Sequence, residues 1–364
     1  MMIKKRRIEV TVRRLRGEVE INNLVMALIG LFVIAVFIGV IPFSALAEEP
    51  LKTVSVGTVG GLTDAGIFIG LEKGYFKEQG INIDYKVFGS SSDFMPLIGA
   101  GQLDVAGIVI AAGLFNSIAN DIKLRIVGDK QSILKGFTST VAVVRKDLVD
   151  SGKYKTPTDL KGLRFAVSAL PSGTWYTYVE WARAKGIKES EIQWVELGFP
   201  QMAPSYRSKS IDAGSLFEPF LTQCLDQGLV TVVGDSYEVT PGATIVPIVY
   251  SEPFATQKKD LANKFMVAYM KGVRDYNDAY RKDKNRAETT KILANAVKMD
   301  PVLVERMRKG GLDPDQNVDK KWIIAMQDFL FDHKYVMKKV DIEKNIDPSF
   351  AEYAIKQLGG KYQY

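Results

Sequence analysis

Residues 54–88 begin with an apolar run, VSVGTVG, and pass through a Gly/Thr/Asp loop. They continue as an amphipathic stretch, IFIGLEKGYFKEQ, and end in a second apolar run, GINIDYKVF. That order predicts strand, loop, helix, strand. It sets the loop Gly60, Gly61, Leu62, Thr63 and Asp64 at the carboxyl end of a strand and the start of a helix. In open α/β sheets this is where ligands bind and where helix N–H groups point outward.

The alternation continues: SSSDFMPLIGAGQ predicts a helix, LDVAGIVI a buried strand, AAGLFNSIAND a helix and LRIVGDK a strand. Such a succession implies a mostly parallel sheet covered by helices. After STVAVVR, the polar stretch KDLVDSGKYKTPTDLKGL marks a crossing into a second lobe. There LRFAVS predicts a strand, residues 169–173 a loop, and residues 174–185 an amphipathic helix ended by Gly186. Further strands are expected at 192–197, 211–216 and 229–233, with a helix at 201–208. TIVPIVY at 244–250 predicts the return crossing, with Pro247 favouring an edge or hinge position. From Ala255 onward the pattern is helical. The expected organisation is a targeting element at 1–47, the first part of lobe 1 at 48–140, lobe 2 at 141–244, and the hinge return with the rest of lobe 1 at 245–364. Two α/β lobes joined by two extended crossings form a hinge around a cleft, as a ligand-closing protein needs.

Charge changes little in this picture. The 364 residues carry 48 Lys+Arg and 42 Asp+Glu, but the first 47 residues hold seven basic and three acidic ones, leaving 41 and 39 afterwards. No basic cluster follows residue 47, which removes most of the case for a nucleic-acid partner. The first 47 residues read as an export element: Lys4, Lys5, Arg6, Arg7, Arg13, Arg14 and Arg16 precede the uncharged run Leu24–Phe43, and Ser44-Ala45-Leu46-Ala47 offers a cleavage site. The run is long enough to span a bilayer, so an uncleaved inner-membrane anchor is the alternative. Either way the remainder would lie outside the cytoplasm, in the periplasm or its equivalent. The single cysteine, Cys224, and the single histidine, His333, supply neither a disulfide nor a catalytic triad nor a Cys/His metal site. Both are expected to be structural, and no cofactor or metal is implied.

Five segments carry a resemblance: GIFIGLEKGYFKEQGINIDY at 66–85, GSSSDFMPLIGAGQLDVA at 89–106, TPTDLKGLRFAVS at 156–168, SKSIDAGSLFEPF at 208–220 and KNIDPSFAEYAIKQLG at 344–359. Together, in this order, they resemble the extracytoplasmic solute-binding proteins of ABC importers. The branch is that of the nitrate, sulfonate and taurine binders and of the pyrimidine-precursor binders related to thiamine-pyrimidine synthases. The resemblance implies a two-lobed type II periplasmic-binding-protein fold of class α/β. It also implies a protein without enzymatic activity that hands a captured small-molecule solute to an ABC permease in the membrane; a monomer is expected. An enzyme like the thiamine-pyrimidine synthases is the class alternative, but those depend on His-rich and Cys-rich elements that one His and one Cys cannot supply. An anchored ligand-sensing domain is the other.

Four loops are expected to converge on the cleft. Thr63 and Asp64 stand at the first strand-to-helix turn, where Asp is also an excellent N-cap. Ser90, Ser91 and Ser92 precede a helix, one of them serving as its cap. Ser172, Gly173 and Thr174 repeat this arrangement in the second lobe, and the two serine-rich loops would form a two-sided polar clamp. Glu218, between Phe217 and Pro219, ends a strand and would accept from a ligand amine or hydroxyl, or bond a backbone N–H or a Lys at the lobe boundary. Phe68, Trp175 and Tyr178 would offer stacking surface or pack in the core, and Gly107 would let a ligand approach the backbone. No Arg or Lys falls in these contact segments, while Asp64 and Glu218 would repel a simple anion. A zwitterion such as a taurine-like amino-sulfonate, or an aminopyrimidine-like heterocycle, is thereby favoured over nitrate, unless a basic residue arrives from elsewhere.

Overall fold

The computed structural model describes residues 50–138 and 140–364. The expected signal or anchor at 1–47 lies outside them. Among the described residues no helix is long and apolar enough to cross a membrane.

Two five-stranded sheets form the two lobes. The first, in the order β2-β1-β3-β10-β4, comprises β1 (Lys52–Thr58), β2 (Ile81–Val87), β3 (Val105–Gly107), β4 (Leu124–Ser132) and β10 (Thr244–Ser251). The second, in the order β7-β6-β8-β5-β9, comprises β5 (Thr140–Arg145), β6 (Arg164–Val167), β7 (Gln193–Glu196), β8 (Ala213–Phe217) and β9 (Val230–Asp235). Each sheet is mixed and mostly parallel, as expected: four of its five strands run the same way and one runs against them. β1 pairs in parallel with β2 and β3, and β6 with β7 and β8. β10 and β5 instead run antiparallel to both of their neighbours. These are the strands by which the chain enters each sheet from the other lobe, so they arrive against the βαβ direction. Pro247 is therefore not at an edge: it sits mid-sheet in β10, where register shifts on either side of it absorb the missing N–H.

The helix Ala65–Glu72 is seated by the helix Lys259–Lys282, whose apolar face buries Phe265, Met266, Tyr269, Met270, Val273 and Tyr276. Each such side chain contributes about 1.5–3 kcal/mol of burial. The two helices cross where both have glycine: a Cβ on Gly272 would lie 2.3 Å from the Gly66 carbonyl oxygen. That close crossing sets the height of the loop 59–64 above the sheet. A second brace, the helix Lys320–Asp332, packs on Ala112–Ala119 of the first lobe and on Gly173–Ala184 of the second.

Candidate functional site

The first strand-to-helix loop is built on a buried ion pair. Lys130, on β4, extends its stem over Gly107 of β3, where a Cβ would come within 2.3 Å of Lys130 Cδ. Its Nζ ends 3.0 Å from Asp64 Oδ1 and donates to Thr63 Oγ1 at 2.7 Å. Lys130 and Asp64 are 1% and 0% exposed. The hydroxyls of Thr58 and Tyr85 each lie 3.1 Å from Asp64 Oδ2, and the Gly60 N–H donates to Thr58 Oγ1 at 3.0 Å. Burial, reinforced by the Asp64 charge, pushes the Tyr85 hydroxyl far above its ordinary value, so it stays a donor. Phe68 meets Tyr85 edge to face with ring centres 5.5 Å apart.

Three expectations change here. Asp64 is an internal counter-ion rather than a group presented to a ligand, because Lys130 and two hydroxyls take up its carboxylate. Gly107 makes room for the Lys130 stem rather than for a ligand. The repulsion of simple anions ascribed to Asp64 is cancelled by the basic residue that the contact segments lacked. Sequence reasoning missed Lys130 because it belongs to a strand; the signal was a charged Asp129-Lys130 pair interrupting the apolar run LRIVG.

In the second loop of this lobe, Asp93 accepts from the Ser90 N–H at 2.8 Å, so part of the donor capacity before the helix Ser91–Gly99 is already used. Ser90 is exposed, and Ser91 and Ser92 open the helix.

On the second lobe, Ser172 is the N-cap of the helix Gly173–Ala184, its Oγ accepting from the Trp175 N–H at 3.1 Å. Gly173 meets the first lobe at Ile110: a Cβ there would lie 3.4 Å from the Ile110 carbonyl oxygen and equally close to Met326. Thr174 faces the lobe crossings, lining with Gln131, Thr138, Thr140, Ile133 and Ile245 a mixed polar and apolar cavity of about 20 Å³, the size of one water. Trp175 is 5% exposed and packs edge to face on Phe329 and His333, with centres 4.9 and 5.1 Å apart. These contacts make Trp175 a packing residue between the lobes, and Tyr178 is buried against Phe165 and Trp181.

Glu218, 7% exposed, accepts from the Thr222 N–H at 3.1 Å through Oε2 and from the Arg308 N–H at 3.0 Å through Oε1. Of the two readings open for it, the geometry fits the backbone partner at the lobe boundary. Beside it, Phe199, Phe217 and Phe220 form a half-buried aromatic group at the carboxyl ends of β7 and β8, with centres 4.3–5.7 Å apart. These rings were not singled out from the sequence, although the runs GFP and LFEPF carry them.

The structure thus gathers Thr63, Asp64, Phe68 and Gly107 around Lys130 and Tyr85, and Ser172 to Trp175 around the lobe crossings. His333 joins the helix Lys320–Asp332 to the second lobe through Glu189 Oε1 at 3.1 Å. The Cys224 thiol is pushed up by burial to about 11, which keeps it protonated and unreactive.

The chain matches the family described as NMT1/THI5 like over residues 63–279, more than half its length, and belongs to that family. A protein of Bacillus subtilis (strain 168) named for aliphatic-sulfonate binding is 23% identical over 320 residues, covering 85% of this chain and 90% of its own. A protein of Brucella abortus (strain 2308) named as a binding protein is 23% identical over 274 residues, covering 74% and 79%. Among solved structures, the periplasmic aliphatic sulphonate binding protein of Escherichia coli superposes with a TM-score of 0.66 at 17% identity, over 83% of this chain and 99% of that one. The periplasmic nitrate-binding protein of Synechocystis PCC 6803 does so with a TM-score of 0.64 at 14% identity, over 85% and 89%. The fold is that of the type II periplasmic binding proteins, two α/β lobes side by side.

Proposed function

We propose that this chain is an extracytoplasmic solute receptor of an ABC importer, a non-enzymatic monomer that captures a small sulfonate-type oxyanion between its lobes and passes it to a membrane permease. The observation that carries this reading is the Lys130–Asp64 pair. It neutralises the Asp64 carboxylate, and Thr63 and the start of the helix Gly173–Ala184 at Thr174 supply polar groups suited to an oxyanion. Glu218 has two backbone N–H donors and does not require a ligand amine. A simple sulfonate is therefore preferred over the zwitterionic taurine class and over an aminopyrimidine. The sulfonate name of the Bacillus subtilis relative and the sulphonate-binding structural neighbour point the same way. Placement outside the cytoplasm rests on the export pattern of residues 1–47 and on the periplasmic relatives.

A thermal-shift panel of alkanesulfonates, taurine, nitrate and aminopyrimidines tests it. A ligand at 100 times its dissociation constant adds about 2.7 kcal/mol of stability. The expected result is a shift with alkanesulfonates exceeding that with the other solutes. No shift with any sulfonate would sink the proposal.

A further inference from the structure

The segment after the helix Pro301–Arg306 is fixed to the first lobe. The Tyr276 hydroxyl donates to the Gly310 carbonyl at 2.9 Å, and the Ser132 N–H donates to the Gly311 carbonyl at 2.8 Å. Lys309 Nζ donates to the carbonyls of Val304, Glu305 and Met307 at 2.7–2.9 Å, closing the end of the helix. From this base the chain reaches the second lobe at three places. The Arg308 N–H donates to Glu218 at the end of β8. The Arg308 guanidinium meets Asp235 at the end of β9 at 2.9 Å. Arg306 pairs with Asp226 at the end of the helix Phe220–Asp226. Asp235 also accepts from Thr138 on the first crossing at 2.6 Å.

We infer that Arg306 and Arg308 form an ionic clasp that fastens the two lobes and sets how long a solute stays in the cleft, an inference that rests on reading the cleft as the solute site. The two arginines are 55% and 39% exposed, so their pairs with Asp226 and Asp235 are individually weak and screened by salt. A permanent joint would be built from buried contacts; a contact that must open at each cycle is better built from exposed charge. Elsewhere the lobes meet through the apolar packing of Trp175 on Phe329 and through the His333–Glu189 pair at 3.1 Å, which removal of the two arginines leaves intact. Because the clasp forms between protein groups alone, it favours this arrangement of the lobes whether or not a solute is present. A lost clasp should therefore appear in the rate of solute release rather than in the rate of capture.

The test is the distance between the lobes measured by spin labels on Cys substituted at exposed Lys77 and Lys209, without solute, at low salt and at about 1 M salt, where the Debye length falls to about 3 Å. The wild type is expected to be compact at low salt and to widen at high salt. The double variant Arg306→Gln/Arg308→Gln is expected to be wide at both, and the charge swap Arg306→Asp/Asp226→Arg to be compact again at low salt. In stopped flow with an alkanesulfonate the double variant should release several-fold faster, with capture unchanged. An unchanged interlobe distance in the double variant would overturn the clasp. That readout needs no solute, so it stands apart from the proposed ligand class; failure of every sulfonate to bind would overturn the latter and leave the distance result intact.

Discussion

Lys130 Nζ lies 3.0 Å from Asp64 Oδ1 with both side chains closed off from solvent, a charge pair that joins strand β4 to the start of the first helix. Removing one partner of such a pair leaves the other charge buried and uncompensated, which costs about 3–5 kcal/mol. Lys130→Met should lose about that much stability in urea denaturation, and adding Asp64→Asn should recover a large part of it. A single-variant loss under about 1 kcal/mol would mean that the pair does not hold the loop.

Gly107 gives the Lys130 stem its path, and because Nζ is tied to Asp64 and Thr63 the stem cannot swing aside. Gly107→Ala is expected to cost about 1–3 kcal/mol in the wild type. It should cost much less once Lys130 is shortened to Ala. A double-mutant cycle measures this, and additive effects would contradict the contact.

Trp175 separates packing from ligand contact. Trp175→Ala should cost about 3–5 kcal/mol of stability through the lost Phe329 and His333 contacts. Solute affinity, measured below the new melting point, should stay within a factor of about two, well under the 1.4 kcal/mol of a tenfold change. A large affinity loss with little change in stability would return Trp175 to the ligand wall.

Asp129 carries a pH signature. Its carboxyl is wholly buried, accepting from the Ser132 hydroxyl at 2.5 Å and from the Asp313 N–H at 2.7 Å. Burial, with the Asp313 charge adding to it, raises its folded pKa well above the ordinary 3.8. The folded state then holds a proton that the unfolded chain releases. The stability this provides is fully present below the unfolded value and is lost as pH rises through the raised folded value. Asp129→Asn removes the titration, so its melting point should gain on the wild type as pH rises from 4 toward 8. A constant difference across that range would show that Asp129 does not titrate in this way.

The alternation that predicted two α/β lobes was readable because each strand-loop-helix unit is local, and the N-cap role of Ser172 needs only three residues of context. Lys130 and Arg308 were not readable. Lys130 reaches Asp64 only because β10 inserts antiparallel between β3 and β4, and Arg308 meets Glu218 across 90 residues of chain. Trp175 was ambiguous because the helix it sits on is covered by Lys320–Asp332 from far along the chain. What sequence pattern conveys is the face a residue occupies; which distant element covers that face is decided by topology.

The most direct measurement of the proposed role is a calorimetric titration of the purified protein with a short alkanesulfonate, followed by the same titration with an aminopyrimidine. The account predicts saturable binding of the sulfonate at one site per chain, with a negative heat-capacity change as the lobes bury surface around it. Binding of the aminopyrimidine with no binding of the sulfonate would contradict it.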